Sequence, residues 1–171
     1  VVILCGGQGT RLRERTHEIP KALVPIGSMP IVFHIMKYYA HHGFTEFILC
    51  AGYKVGKMRQ FASSAAIRKT GWKVTCVDTG RNTNTAGRLC RIAPLIKGPR
   101  FFATYGDGLS TVNLKELLKF HQAHGLTATM TCVKPRVQFG MVMLDRKNVV
   151  NAFVEKPPSE HWVNGGFFVF E

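Results

Sequence analysis

Short apolar runs that end in glycine alternate with segments whose apolar residues recur at helical spacing, and this alternation limits the fold more than any other feature. Residues 1–4, VVIL, are apolar and mostly β-branched, and they run straight into Cys5, Gly6 and Gly7. That pattern reads as a buried strand ending in a loop. Residues 31–39 place apolar side chains at 32, 35, 36 and 39, one face of a helix, with Gly43 as its terminator. Residues 47–51, 74–77 and 101–105 read as further short strands, and 55–69 as a helix rich in Ala, Lys, Arg and Met. Residues 114–124 set Leu114, Leu117, Leu118 and His121 on one helical face, with Asn113 as N-cap and Gly125 just beyond. Past residue 125 the helical pattern stops, and 127–133, 141–144, 149–154 and 167–170 read as strands that are antiparallel or at an edge. The expectation is an α/β sandwich with a mostly parallel sheet, in a single domain over 1–171.

Composition narrows the function. No apolar run approaches ~18 residues, so no transmembrane helix is expected. The net charge of +13 raises nucleic-acid binding as a question. However, the lysines and arginines are scattered, with no run of five, and aromatics are not interleaved with them. That argues against a nucleic-acid module. A basic cleft for a polyphosphate uses part of the charge, and solvated surface takes most of the rest. Five cysteines, without a CxxC pair or metal-like spacing, read as small buried hydrophobes in a reducing cytoplasm. The chain opens without a methionine and closes inside GGFFVFE, and it reads as a piece cut at both ends.

In open α/β sheets, ligands lie beyond the carboxyl ends of the strands, so residues that follow strands are the candidates. Gly6, Gly7 and Gly9 follow the first strand and let backbone N–H groups approach an anion without a Cβ in the way. The loop is no Walker A, for no GKS or GKT follows, and Leu12 stands where the third glycine of a dinucleotide fingerprint would fall. Arg11 and Lys21 add a bidentate and a point cation, which together with the glycines suit a triphosphate. Asp107, between two glycines after the strand at 101–105, is a carboxylate at the ligand edge: a Mg²⁺ ligand, or an Asp-Gly turn. Glu155 and Lys156 end a strand as ligand contacts or as a surface ion pair. Asn164 precedes two glycines, in a tight turn or close to a polar ligand.

GGQGTRL…PK at 6–21, YGDG at 105–108, EKP at 155–157 and NGGFF at 164–168 occur in an order and spacing that resembles the sugar-1-phosphate nucleotidyltransferases. The stretch VDTGRNTNTAGRL at 77–89 is similar to the DTGxxTxTGGRL segment of the glucose-1-phosphate cytidylyltransferases, with Ala86 in place of the first glycine of TGG. The resemblance implies a Rossmann-like three-layer sandwich of the nucleotide-diphospho-sugar transferase type, C-terminally truncated. It implies that Leu4, Cys5, Gly6, Gly7, Gln8, Gly9, Thr10 and Arg11 wrap the nucleotide, with Lys21 at the reacting phosphates. Thr83 and Arg88 would contact the nucleotide at the base-recognition segment, Gly106 would line the site, and Asp107 would hold Mg²⁺. Glu155, Lys156, Asn164 and Gly165 would bind the sugar phosphate. Arg11, Lys21 and Asp107 would thus form the catalytic set, and Ala86 would crowd the base. The implied reaction is cytidylyl transfer from CTP to glucose 1-phosphate, giving CDP-glucose for deoxysugar and polysaccharide synthesis. Two alternatives stay open: a UTP- or dTTP-dependent sugar-1-phosphate nucleotidyltransferase, and a catalytically inactive nucleotide-sugar-binding domain. The resemblance also leaves a homo-oligomer open and implies no membrane partner.

Overall fold

The computed structural model describes residues 1–7 and 18–171. These form two compact units, one of Val1–Thr129 with Phe167–Glu171 and one of Met130–Gly166. Gln8, Gly9, Thr10 and Arg11 lie outside the described residues.

A six-stranded sheet in the order β5-β4-β1-β6-β10-β7 holds the main strands of the first unit, and its β7 and β10 also carry residues of the second unit. Its members are β1 (Val2–Leu4), β4 (Glu46–Ala51), β5 (Lys73–Asp78), β6 (Phe101–Tyr105), β7 (Ala128–Val133) and β10 (Val163–Phe170). The strands β5, β4, β1 and β6 are parallel, and β10 runs antiparallel to β6, pairing Phe167 with Thr104 and Phe170 with Phe101. The chain moves outward from β1 to β4 and β5, then returns across β1 to β6. That reversal leaves a crevice beyond the carboxyl ends of β1 and β6, where an α/β sheet takes its ligand. A two-stranded ribbon, β2 (Pro25–Ile26) with β3 (Met29–Pro30), leads into the first described helix.

Strand alternation sorts side chains to the two faces. On one face Ile3, Phe47, Leu49, Phe102, Phe167 and Val169 pack in a core with α1 (Ile31–His41), α2 (Val55–Ala62), α3 (Ala65–Arg68) and α5 (Leu114–His124). On the other, Val2, Cys50 and Ala103 meet Leu89 and Ile92 of α4 (Thr85–Ile92). The architecture is therefore a three-layer α/β sandwich, with one face covered far more heavily than the other.

Two helical segments differ from expectation. The helix anticipated over 55–69 breaks at Ser63 and Ser64, because the Ser64 hydroxyl accepts from the Ile67 N–H and starts a new helix. The helix α4 was not anticipated: eight residues are too few for a clear period, and the sequence there reads as loop. Its start is nevertheless well marked, for Asn84 Oδ1 accepts from the Gly87 N–H at 2.8 Å. At α5 the anticipated signals hold: Asn113 caps through the N–H groups of Lys115 and Glu116, and Gly125 follows at φ 64°. His121 lies fully buried on its apolar face, bonded to Thr129 Oγ1 at 2.8 Å and Glu171 Oε1 at 3.1 Å.

The second unit contains the antiparallel hairpin of β8 (Met141–Leu144) and β9 (Val150–Val154), with Met141 opposite Val154. Asp145 Oδ1 accepts from the N–H groups of Lys147 and Val149, which closes the turn.

Candidate active site

The carboxyl ends of β1 and β6 are held together by backbone. Gly106 N–H donates to the Leu4 carbonyl at 3.1 Å, and Cys5 N–H to the Cys50 carbonyl at 2.9 Å. A Cβ on Gly106 would sit 2.9 Å from Cys5 Sγ and 3.1 Å from Ala22 Cβ, so only glycine lets the two strand ends lie this close. Burial raises the Cys5 thiol well above its ordinary range, which makes it packing rather than nucleophile.

A cavity of about 400 Å³ opens there, lined by Leu4, Cys5, Gly6, Gly7, Lys21, Ala22, Thr83, Asn84, Thr85, Arg88, Tyr105, Gly106 and Asp107. The first unit thus gathers onto one wall system the anticipated residues Leu4, Cys5, Gly6, Gly7, Lys21, Thr83, Arg88, Gly106 and Asp107. Tyr105 and Ala22 were not anticipated, while Asn84 and Thr85 lie in the segment 78–88 that follows a strand. Ala86 is exposed and is not among the described residues that line the cavity. The crowded glycine is Gly87, whose Cβ would meet Thr83 Cγ2 at 2.9 Å.

Lys21 opens a short 3-10 turn over Lys21–Leu23, and its ammonium contacts the Asp107 carboxylate directly. Both side chains are about one-third exposed, at 32% and 36%. Cation and carboxylate therefore face one solvent-accessible space. Asp107 is the cavity's carboxylate, and the described residues hold no cluster of three or more His, Cys, Asp or Glu suited to a metal. This suits a cation that brings most of its oxygens from phosphates and water, as Mg²⁺ does, and not one caged by protein.

Arg88 is buried, at 5% exposure. Its Nη1 donates to the Ala51 carbonyl at 3.2 Å and to Thr79 Oγ1 at 2.7 Å. Its Nη2 donates to the carbonyls of Gly6 at 3.2 Å and Arg81 at 3.4 Å. Burial lowers its pKa from the ordinary arginine value. The guanidinium ties the loops that follow β1 and β5 to the end of β4. Glycine stands at position 6 because a Cβ there would collide with that guanidinium.

The remaining anticipated residues lie in the second unit. Lys156 adopts φ 43°, and its ammonium stands 3.6 Å from Glu155 Oε1, both side chains exposed. Asn164 Oδ1 accepts from the Gly166 N–H at 2.8 Å, and Gly165 lies so close to Thr131 that a Cβ would approach its Oγ1 to 2.9 Å.

Comparison with known proteins places this geometry. The family model described as nucleotidyl transferase matches residues 1–171. The chain belongs to the nucleotidyl transferase family. Among curated members, it is 40% identical to a probable glucose-1-phosphate cytidylyltransferase of Bacillus subtilis, over 98% of this chain and 73% of that protein. It is also 40% identical to a glucose-1-phosphate cytidylyltransferase of Salmonella typhimurium, with the same coverage. A mannose-1-phosphate guanylyltransferase of Mycobacterium tuberculosis is 32% identical, over 48% of its length. The Bacillus alignment spans 186 positions, more than the 171 residues here, so that protein carries residues this nucleotidyl transferase lacks. The solved structure of HddC from Yersinia pseudotuberculosis, complexed with GMP-PN, shares the fold at a TM-score of 0.74 and 24% identity. It is covered over 75% of its length by 99% of this chain.

Proposed function

We propose that this nucleotidyl transferase joins CTP and glucose 1-phosphate to give CDP-glucose and pyrophosphate. The observation that carries the reading is the 40% identity to glucose-1-phosphate cytidylyltransferases across 98% of the chain. The cavity supports it chemically, since a glycine-lined strand end, a lysine and a carboxylate converge there as a nucleotide triphosphate requires.

A phosphate oxygen of glucose 1-phosphate attacks the α-phosphorus in line. The bond from that phosphorus to the β-phosphate bridging oxygen breaks, and pyrophosphate leaves with the electron pair. The nucleophile is already an anion, so no general base is needed; the difficulty is bringing two anions together. Gly6 and Gly7 begin the loop that wraps the nucleotide, and Gln8, Gly9, Thr10 and Arg11 continue it, with Arg11 on the phosphates. Lys21 offsets charge at the phosphorus under attack. Gly106 keeps the floor open, and Thr83 and the first turn of α4 face the nucleotide. Glu155, Lys156, Asn164 and Gly165 take the sugar phosphate, Lys156 on its charge. Asp107 would hold Mg²⁺, which when bound neutralises phosphate oxygens and orients them. The five cysteines are all free thiols, which suits a reducing compartment, although only Cys5 and Cys50 are buried as expected, and Cys90 and Cys132 are exposed.

The test is direct. The protein is incubated with Mg²⁺, glucose 1-phosphate and each of CTP, UTP, dTTP, ATP and GTP, and pyrophosphate is measured. Release with CTP alone is expected. Release with UTP or dTTP instead would move the assignment to those nucleotides, and binding without release would identify an inactive nucleotide-sugar-binding domain.

A further inference from the structure

Arg88 faces the cavity, yet its polar atoms are already committed. A guanidinium has five N–H donors. The four on Nη1 and Nη2 are matched by the Ala51 carbonyl, Thr79 Oγ1 and the carbonyls of Gly6 and Arg81. Among the described residues, the Nε–H has no acceptor in this set. Ala51 ends β4, and the other acceptors lie in the loops that follow β1 and β5, Gly6 beginning the glycine loop itself.

We propose that Arg88 is a positioning residue. Its buried guanidinium fixes the backbone at Gly6, where the chain leaves β1, and does not read the base. The inference rests on the reading of the glycine loop as a phosphate cradle. Two independent observations support it. Gly6 has no room for a Cβ, and the three nearest atoms that a Cβ would meet all belong to the Arg88 guanidinium. Gly52, at the end of β4, is likewise confined, its Cβ position lying 2.8 Å from Arg88 Nη1 and 2.5 Å from the Gly80 carbonyl. Two glycines therefore stand where the arginine must lie. A role confined to base contact would leave the backbone at position 6 unconstrained.

A clamp of this kind acts on the phosphate moiety whatever base it carries. Binding of CTP, UTP and inorganic tripolyphosphate is measured by calorimetry at constant Mg²⁺ for wild-type protein, Arg88→Ala, Gly6→Ala and the double variant. Arg88→Ala is expected to weaken all three ligands by the same factor, about tenfold or more. Gly6→Ala is expected to weaken them too, with the added loss disappearing once Arg88→Ala removes the guanidinium. If Arg88→Ala does not fold, Arg88→Lys keeps the charge without the fork and carries the same comparison. A loss confined to CTP, with tripolyphosphate unchanged, would overturn the proposal and make Arg88 a base contact. So would unchanged binding of every ligand. Wild-type protein that binds tripolyphosphate but not CTP would overturn the functional reading while the clamp is still tested; binding of neither would overturn both.

Discussion

Replacing Lys21 with methionine separates chemistry from folding. The ammonium contacts Asp107 from a position about one-third exposed, so the ion pair is partly screened by water. Pairs of that kind contribute about 0.2–1 kcal/mol to stability. In a chain of 171 residues this corresponds to a drop in Tm of roughly 4 °C at most. Methionine keeps most of the stem's packing. The catalytic loss is set by a different balance. A unit charge about 4 Å from a phosphate oxygen, at an effective dielectric constant near ~20, is worth about 4 kcal/mol. Only charge that develops at the reacting phosphates counts fully toward rate, and loss of one such donor elsewhere costs about 10²–10³ in kcat. Lys21→Met should therefore cut pyrophosphate release at saturating CTP and glucose 1-phosphate by about 10²–10³, with melting nearly unchanged. The assay pairs initial-rate pyrophosphate detection with thermal unfolding on the same preparation. Turnover above about one-tenth of wild type would refute the reasoning, for a cation at the reacting phosphates cannot be dispensed with so cheaply. A collapse in melting would refute it differently, by showing that the pair is structural.

Further outcomes follow from buried groups and caps. Burial pushes the Cys50 thiol from 9.0 up to about 12, so the folded protein keeps its proton where the unfolded chain loses it. Its contribution is complete below pH 9 and declines above it by about 1.4 kcal/mol per pH unit, so Tm should fall steeply between pH 9 and 11 and less steeply in Cys50→Ala. Asn84→Ala removes the cap of α4 and should cost about 1 kcal/mol in urea unfolding, with weaker CTP binding because the same helix carries Arg88. An unchanged midpoint and affinity would separate the cap from the site.

The parallel sheet was legible because buried strands are short, β-branched and closed by glycine or a polar residue, and α5 because its cap, apolar stripe and terminating glycine agree. Ser63 and Ser64 interrupt a composition that favours helix, and the decision rests on one hydroxyl reaching the Ile67 N–H, which no periodicity records. The helix α4 is similar: a single Asn84 cap outweighs a polar, threonine-rich stretch that reads as loop. In the site, glycines and charges pointed to Gly6 and Asp107 after strands and to Lys21 after a proline. Arg88 lines the cavity, but the number of its donors spent on backbone depends on how the loops after β1 and β5 converge on the end of β4, and spacing along the chain says nothing of that. Ala86 marked a departure from a motif, yet it points to solvent, while its neighbour Gly87 fills the tight position.

The uneven covering of the sheet has a consequence of its own. One face is roofed by four helices, while the other relies on α4, with Leu89 and Ile92 closing its core and Asn84, Thr85 and Arg88 forming the cavity wall. Recognition and fold share an element that has no spare turn. A substitution at Leu89 or Ile92 that loosens this layer should therefore also shift the cavity wall formed by Thr85 and Arg88 on the same helix. Conversely, a ligand seated against α4 braces that thin layer, and melting temperature becomes a direct gauge of how well a nucleotide fits.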